Sequence, residues 1–210
     1  MKTNLKIIAQ LALLFLALRG TAPAQDPPHG STTLIILADR HIQQHLWPVL
    51  VPTLQRDAQA ESAAAPVTGN LHIVFSGKNM PGPAFPSRIE VELLGRCDDL
   101  WDENTTAQFG PLGWVLENSG KIAPVIYVDC GRLSQVIWPK TRAMTESQRQ
   151  RAVSQAISHV ILHEWIHIAT QSPEHAEYGV MRPSLSANDL VTPIETSAKL
   201  ALRTSEPSSN

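Results

Sequence analysis

Short apolar runs in the first part of the chain predict a set of β-strands. Residues 32–37 and 71–75 are apolar and β-branched, which is typical of buried strands. Residues 89–94 alternate apolar and charged positions, as expected for a strand with one wet face. Residues 110–117 and 124–130 flank the turn signal Asn-Ser-Gly-Lys, so we predict a hairpin there.

Helical spacing of apolar residues is strongest in the second half. Thr145 and Gln148 form a capping box, and the broad apolar stripe behind them predicts a helix over residues 146–169. A shorter helical pattern over 42–54 is interrupted by prolines, and we interpret 58–69 as a linker. Capping signals in residues 186–195 predict one or two closing helices.

The order of these elements predicts the fold class. Strands come first and helices afterwards, and no parallel βαβ alternation is visible. We therefore expect an α+β domain in which a mixed, mostly antiparallel sheet packs on the long helix, followed by C-terminal helices. With 210 residues, of which 43% are hydrophobic and 17% charged, the chain is long enough for one ordinary core.

The N-terminus has the pattern of an export signal. Lys2 and Lys6 precede an apolar run over residues 7–18, and a small-x-small site follows, so we predict cleavage after Ala24. This assigns 1–24 to a signal peptide, 25–210 to a single domain, and the mature protein to a secreted or periplasmic location. The run is shorter than the roughly 20 residues of a membrane span. The alternative is an uncleaved N-terminal anchor.

Net charge indicates which binding partners to expect, and the two cysteines indicate a possible disulfide. Three of the 17 basic side chains lie in the signal, which leaves 14 basic against 19 acidic groups and a formal charge of −5. We therefore expect no nucleic-acid partner, no membrane association after cleavage, and a monomer. Export also allows a disulfide between Cys97 and Cys130; the alternative is two buried thiols.

The long predicted helix concentrates metal-capable side chains. His163 and His167 are four residues apart, so both imidazoles can face one ion. Glu164, about 100° around the axis, can reach a metal-bound water without ligating the metal. Pro173 ends the helix, and the returning chain can present His175 as a third ligand, leaving one coordination position open as in catalytic zinc sites. The alternative is two histidines with ordinary hydrogen bonds.

The segment H-E-W-I-H at 163–167 resembles the signature of zincin metallopeptidases. His175 and the sequence Gly179-Val180-Met181 are similar to the third histidine and Met-turn of the metzincin branch, and the pattern is similar to that of small exported bacterial metallopeptidases. The resemblance implies a zincin-like fold, Zn²⁺ bound by His163, His167 and His175, Glu164 as general base, and Met181 beneath the metal.

This sequence departs from the metzincin pattern in two ways. Metzincins place five residues, one of them glycine, between the second and third histidines, whereas this chain has seven, with Thr170 where the glycine would be. The helix must then end at a residue such as Gln171 or Ser172. The Met-turn also lies closer than usual, so Met181 could instead be core packing.

Other candidates remain beside these residues. Glu195, on a later predicted helix, is an alternative third ligand. His159 would lie about 12 Å from His167 along a helix, which is too far to share an ion. Tyr178 could support the site by donating to a developing oxyanion, or could pack on the core.

The function that these features predict is secreted zinc-dependent hydrolysis of peptide bonds in a protein or peptide substrate. A metal-activated water would attack the carbonyl, with Glu164 taking the proton. A substrate chain could lie along a strand edge over residues 113–117. The alternatives are an exported, non-catalytic metal-binding or interaction module and a zinc hydrolase acting on a non-peptide amide.

Overall fold

The computed structural model describes residues 31–38, 40–64, 70–77, 88–97 and 109–194. Five strands and five helices lie within these ranges. In chain order they are β1 (Ser31–Ala38), α1 (Arg40–His45), α2 (Trp47–Ala64), β2 (Asn70–Gly77), β3 (Arg88–Leu94), β4 (Gly113–Asn118), β5 (Lys121–Asp129), α3 (Cys130–Thr141), α4 (Glu146–Thr170) and α5 (Ala187–Val191).

The strands form one mixed sheet in the order β2-β1-β3-β5-β4. β1 pairs in parallel with β2 and β3, β3 pairs in parallel with β5, and β4 runs antiparallel to β5. The mixed sheet and the α+β class are confirmed, but the prediction of a mostly antiparallel sheet is wrong. Parallel pairing requires a long crossover, usually a helix, and the crossover between β1 and β2 contains the segment that we interpreted partly as a linker.

Residues 58–64 of that segment are helical because this stretch is rich in alanine. α2 continues to Ala64, beyond the predicted end of the helix, and Ala58 in its second half is buried. Alanine has the highest helix propensity of all residues, so an Ala/Ser stretch can extend a helix as well as link two elements. Pro52 lies inside the helix, and Pro48 lies in its first turn, where a missing N–H costs little.

Helix α3 was not predicted. The Asp129 side chain accepts a hydrogen bond from Arg132 N at 2.9 Å and caps the helix directly after β5 ends. Its buried residues include Cys130, Leu133 and Ile137, which are spaced three and four apart. The cap and the apolar spacing are visible in the sequence. The helix begins directly after β5, however, so no loop marks its first residue.

The core lies between the sheet and helix α4. Ile89, Val91 and Leu93 of β3 are buried while the intervening residues are partly exposed, so the predicted alternation is confirmed. α4 begins at the predicted capping box, in which Thr145 and Gln148 bond each other's backbone. Every residue from 152 to 162 is buried, so this stretch of α4 contacts other parts of the protein on all sides.

Two further contacts hold the helices and the sheet together. Cys97 and Cys130 form a disulfide that joins the chain after β3 to the start of α3, so this prediction is confirmed. The buried carboxylate of Asp57 in α2 accepts hydrogen bonds from Gln155 Nε2 at 2.6 Å and Ser158 Oγ at 2.8 Å in α4. Arg56 pairs with the same carboxylate.

Some predictions fall outside the described ranges. The signal peptide at 1–24, the proposed ligand Glu195 and most of the second closing helix lie there. The first closing helix is confirmed as α5, with Ser186 and Asp189 forming its capping box. In the part of the chain that the structure describes, no helix combines the length and the apolar character needed to span a membrane.

Candidate metal centre

Helix α4 carries His163, Glu164 and His167 in its last two turns. The helical spacing of four residues places the two imidazoles one above the other, as predicted, with their Nε2 atoms 3.1 Å apart. Two nitrogens bound to one tetrahedral zinc ion lie about 3.3 Å apart, given Zn–N bonds of about 2.0–2.1 Å. The spacing of these two nitrogens therefore matches that of ligands on a single ion.

The other nitrogen of each ring is held by a backbone carbonyl. His163 Nδ1 lies 2.8 Å from Val180 O, and His167 Nδ1 lies 2.7 Å from Ser172 O. A carbonyl can only accept, so both Nδ1 atoms must carry the proton and donate it. In the neutral rings both Nε2 atoms then present lone pairs to the same point, as metal-binding histidines do.

His175 approaches the pair from outside the helix. Its ring centroid lies 5.2 Å from that of His163 and 4.9 Å from that of His167. The potential ligand atoms of the three histidines all lie within 4.8 Å of one another. The structure thus brings the three predicted ligands together, and they could hold a metal ion.

The loop that returns His175 depends on two left-handed residues. Gln171 ends α4 with φ of 51°, and Gly179 has φ of 76°. A hydrogen bond from Ala176 N to Met181 O at 2.8 Å closes a turn that contains Gly179. Val180 is buried next to this closure, and its carbonyl is thereby fixed where His163 Nδ1 can donate to it.

The surroundings of His163 favour its neutral ring. Burial lowers the pKa of His163, and the nearby His167 and His175 rings lower it further, while the hydrogen bond to Val180 acts in the opposite direction. A proton shared between the two Nε2 atoms would leave a charged pair in a partly buried place, which burial disfavours. A metal cation with an unfilled coordination shell suits two converging lone pairs better.

Glu164 lies beside the ligands and is only 7% exposed. Burial raises the pKa of its carboxyl group from 4.5 to about 7. A carboxyl that titrates near neutral pH can both accept and release a proton there. Glu164 therefore lies in the same cleft as the three histidines, and its role as a general base stays a prediction.

An open cleft of about 560 Å³ runs past the three histidines and Glu164. One wall is formed by β4 and the residues before it, and the other by Pro173 and residues 182–185. Arg182 in the second wall pairs with Asp189 of α5, which anchors that wall to the capping box. The cluster is thus accessible to a ligand larger than water.

Gly113 allows β4 to approach the helix at this point. A Cβ atom there would overlap Val160 Cγ1 and would lie 2.9 Å from Tyr127 O and 3.4 Å from Glu164 Cγ. We did not single out Gly113 from the sequence, although a glycine inside a predicted strand is a known sign of close backbone approach. The carbonyls of Ser172 and Val180 had no sequence signal, because their roles depend on the path of the loop.

The remaining predicted residues have mixed outcomes. Met181 is partly buried and packs against the core, as the core-packing interpretation requires, and its place beneath a metal stays a prediction. Tyr178 is 67% exposed, so the interpretation that it packs on the core is wrong; its oxyanion role stays a prediction. His159 Nδ1 lies 3.0 Å from both Gln155 O and Leu190 O, away from the three-histidine cluster.

No protein-family model, curated protein or solved structure matches this chain. The geometry of the three histidines and Glu164 is therefore what indicates a function.

Proposed function

We propose that this protein is a zinc-dependent hydrolase of peptide bonds. The observation that carries the proposal is the convergence of two Nε2 lone pairs, 3.1 Å apart, whose rings are fixed through Nδ1 by backbone carbonyls. Carbonyl partners of this kind orient ligating histidines in metal proteins and fix their tautomer. His175 supplies a third nitrogen, and Glu164 supplies an adjacent carboxyl group.

The donor set suits zinc. Three imidazole nitrogens are borderline-soft ligands, and a tetrahedral ion held by three protein groups keeps one position for water or substrate. A zinc ion bound there would supply Lewis acidity and lower the pKa of a water molecule toward 7. A structural zinc site would instead be closed by four protein ligands, and the cluster in the described residues has three.

Glu164 is the proposed general base. Its carboxyl has a pKa of about 7, so a large fraction is ionised at neutral pH and can accept a proton from an attacking water. The same group can then donate that proton to the leaving amine. Gly113 lets the β4 backbone lie next to the Glu164 side chain, and both residues line the cleft that contains the histidines.

The proposed substrate is an extended polypeptide that pairs with β4. This strand is the edge of the sheet, so one side of its backbone has no neighbouring strand within the described residues. Trp114, Val115 and Glu117 of β4 line the cleft that contains the histidines. A chain added to this edge would run past the metal centre, which is the geometry that cleavage within a chain requires.

Export is part of the proposal. The disulfide between Cys97 and Cys130 is compatible with an oxidising compartment, where such bonds form and persist. The predicted signal peptide would deliver the protein there. N-terminal sequencing of the exported protein tests this, with Gln25 expected as the first residue.

Metal analysis and three substitutions, one of them a control, test the function. Purified protein should contain about one zinc per chain, and His163→Ala should lose it. The control is His72→Ala, which changes an exposed histidine of β2 and should keep the zinc. Glu164→Gln should keep the metal and lose at least about 100-fold in turnover of an unfolded protein substrate. Zinc without any Glu164-dependent turnover would identify a non-catalytic metal-binding module instead.

A further inference from the structure

We propose that Gln171 is a positioning residue that sets the geometry of the metal centre. It lies just past the end of α4, four residues after His167 and four before His175. The inference rests on the proposed metal site, and it adds the part of the chain that holds the second and third ligands in place.

The backbone of Gln171 makes the turn that separates these two ligands. With φ of 51° and ψ of 35° it adopts the left-handed conformation. Helices that end in this way usually do so at glycine, which has no Cβ to strain. Glutamine at this position therefore needs a compensating interaction, and its side chain provides one.

The side-chain amide of Gln171 is fully engaged. Its Oε1 accepts from Ile122 N at 2.9 Å, and its Nε2 donates to Ile122 O at 3.1 Å and to Ile168 O at 2.8 Å. The amide thus pairs with both backbone groups of Ile122, as a neighbouring strand would. One side chain joins the end of α4 to the beginning of β5.

This connection reaches both the metal ligands and the cleft. Ser172, the next residue, offers the carbonyl that accepts from His167 Nδ1 at 2.7 Å. Ile122 pairs with Glu117 of β4, and both residues line the cleft. A rotation at Gln171 would shift the Ser172 carbonyl and the chain that returns His175, so the amide fixes the helix end relative to the strand that borders the site.

Glycine is the informative substitution. Gln171→Gly keeps the left-handed turn without strain but removes the amide, so it separates backbone conformation from side-chain anchoring. Gln171→Glu keeps the length and the acceptor but loses the two Nε2 donors. Thr170→Ala is the matched control, because Thr170 is the exposed neighbour and its hydroxyl bonds Ile166 O within the helix.

The test measures Co²⁺ and Zn²⁺ affinity by competition with a chelator, together with the visible spectrum of the Co²⁺ protein. If Gln171 positions the ligands, Gln171→Gly and Gln171→Glu should bind both metals about 10- to 100-fold more weakly and show altered Co²⁺ bands. Thr170→Ala should stay within about 2-fold of the wild type.

Two results would overturn the inference in distinguishable ways. If the wild type binds Co²⁺ through His163 but Gln171→Gly has the same affinity and spectrum, the residue serves stability alone and only this inference fails. If the wild type itself binds neither metal, the proposed function fails and this inference fails with it. Should Gln171→Gly not fold, as judged by circular dichroism, the Gln171→Glu protein decides the outcome.

Discussion

Burial of Glu164 has two opposing effects at the candidate metal centre. Glu164 is a buried carboxyl next to histidines that could hold a metal ion, and burial alone raises its pKa to about 7. Without a metal, an ionised carboxylate in that place is poorly solvated and destabilises the fold. The same placement suits the proposed role of Glu164 as a base at neutral pH.

A stability measurement on metal-free protein tests this. The folded-state pKa of Glu164 lies above its unfolded value of 4.5, so its contribution to stability is largest below pH 4.5 and is lost as the pH rises through about 7. The glutamine of Glu164→Gln stays neutral at every pH. The free energy of unfolding of this variant should therefore exceed that of the wild type by about 2–3 kcal/mol at pH 8, but by less than about 1 kcal/mol at pH 5. Urea unfolding with a chelator measures both.

The control is Glu174→Gln, which alters an exposed carboxyl group in the loop before His175. Its unfolding free energy should follow that of the wild type at both pH values, because an exposed carboxylate loses little solvation on folding. An equal advantage of Glu164→Gln at pH 5 and pH 8 would contradict the burial argument.

His159 gives a second pH dependence, away from the ligands. Burial lowers the pKa of His159 below 6.5, while the carboxylates of Asp57 and Asp189 and the carbonyls of Gln155 and Leu190 act in the opposite direction. Above pH 6.5 the ring is neutral in both states. As the pH falls below 6.5, the unfolded chain binds a proton that the folded protein resists, so stability decreases.

We expect His159→Asn to reduce this loss, because the amide keeps a donor for Leu190 O but does not titrate. Urea unfolding of metal-free protein from pH 7.5 to 5 measures the slope for both proteins. The three clustered histidines are the same in both proteins, so their contribution cancels in the comparison. Equal slopes would show that His159 is not the group responsible.

At the scale of elements, the site depends on how closely β4 approaches α4. Gly113 occupies the contact, and a methyl group there would overlap Val160 and crowd the Tyr127 carbonyl. The Tyr127 carbonyl belongs to β5, which pairs with β3 as well as β4 and cannot easily move.

Gly113→Ala should therefore destabilise the protein by about 1–3 kcal/mol, as overpacking of a core contact does. It should also reduce turnover, because it displaces the strand from Glu164. Combining it with Val160→Ala removes one of the clashing groups, so the pair should cost less than the sum of the single changes. Urea unfolding of the wild type, the two single variants and the double variant gives the coupling free energy between residues 113 and 160. If the two losses in stability simply add, the proposed contact is excluded.

The elements differ in how far the sequence predicts them. β3 and α4 have clear signals, namely strict alternation and a capping box, and both were located correctly. The parallel order of β1, β2 and β3 has no such signal, since it depends on how crossovers pack against the sheet. For the site, spacing alone predicts that His163 and His167 converge, but the carbonyls that orient their rings come from the loop beyond the helix.

The whole molecule is held together by contacts between segments distant in sequence, and the disulfide is the one that encloses the hairpin. It links Cys97 to Cys130 across 33 residues, with 4.5 Å between the Cα atoms, and the enclosed chain includes β4 and β5. Because both cysteines are buried, the bond also fixes the start of α3 against the core.

Replacing both cysteines by serine should lower the free energy of unfolding by about 3–4 kcal/mol, because the unfolded chain regains the entropy that a closed loop of this length removes. Urea unfolding measures the loss, and the single change Cys97→Ser, which leaves one buried thiol, should cost a similar amount. Since the enclosed hairpin forms one wall of the cleft, the double variant should also bind Zn²⁺ more weakly at a temperature where it remains folded. A double variant as stable as the wild type would mean that packing around α3, and not the covalent link, holds the hairpin next to the metal ligands.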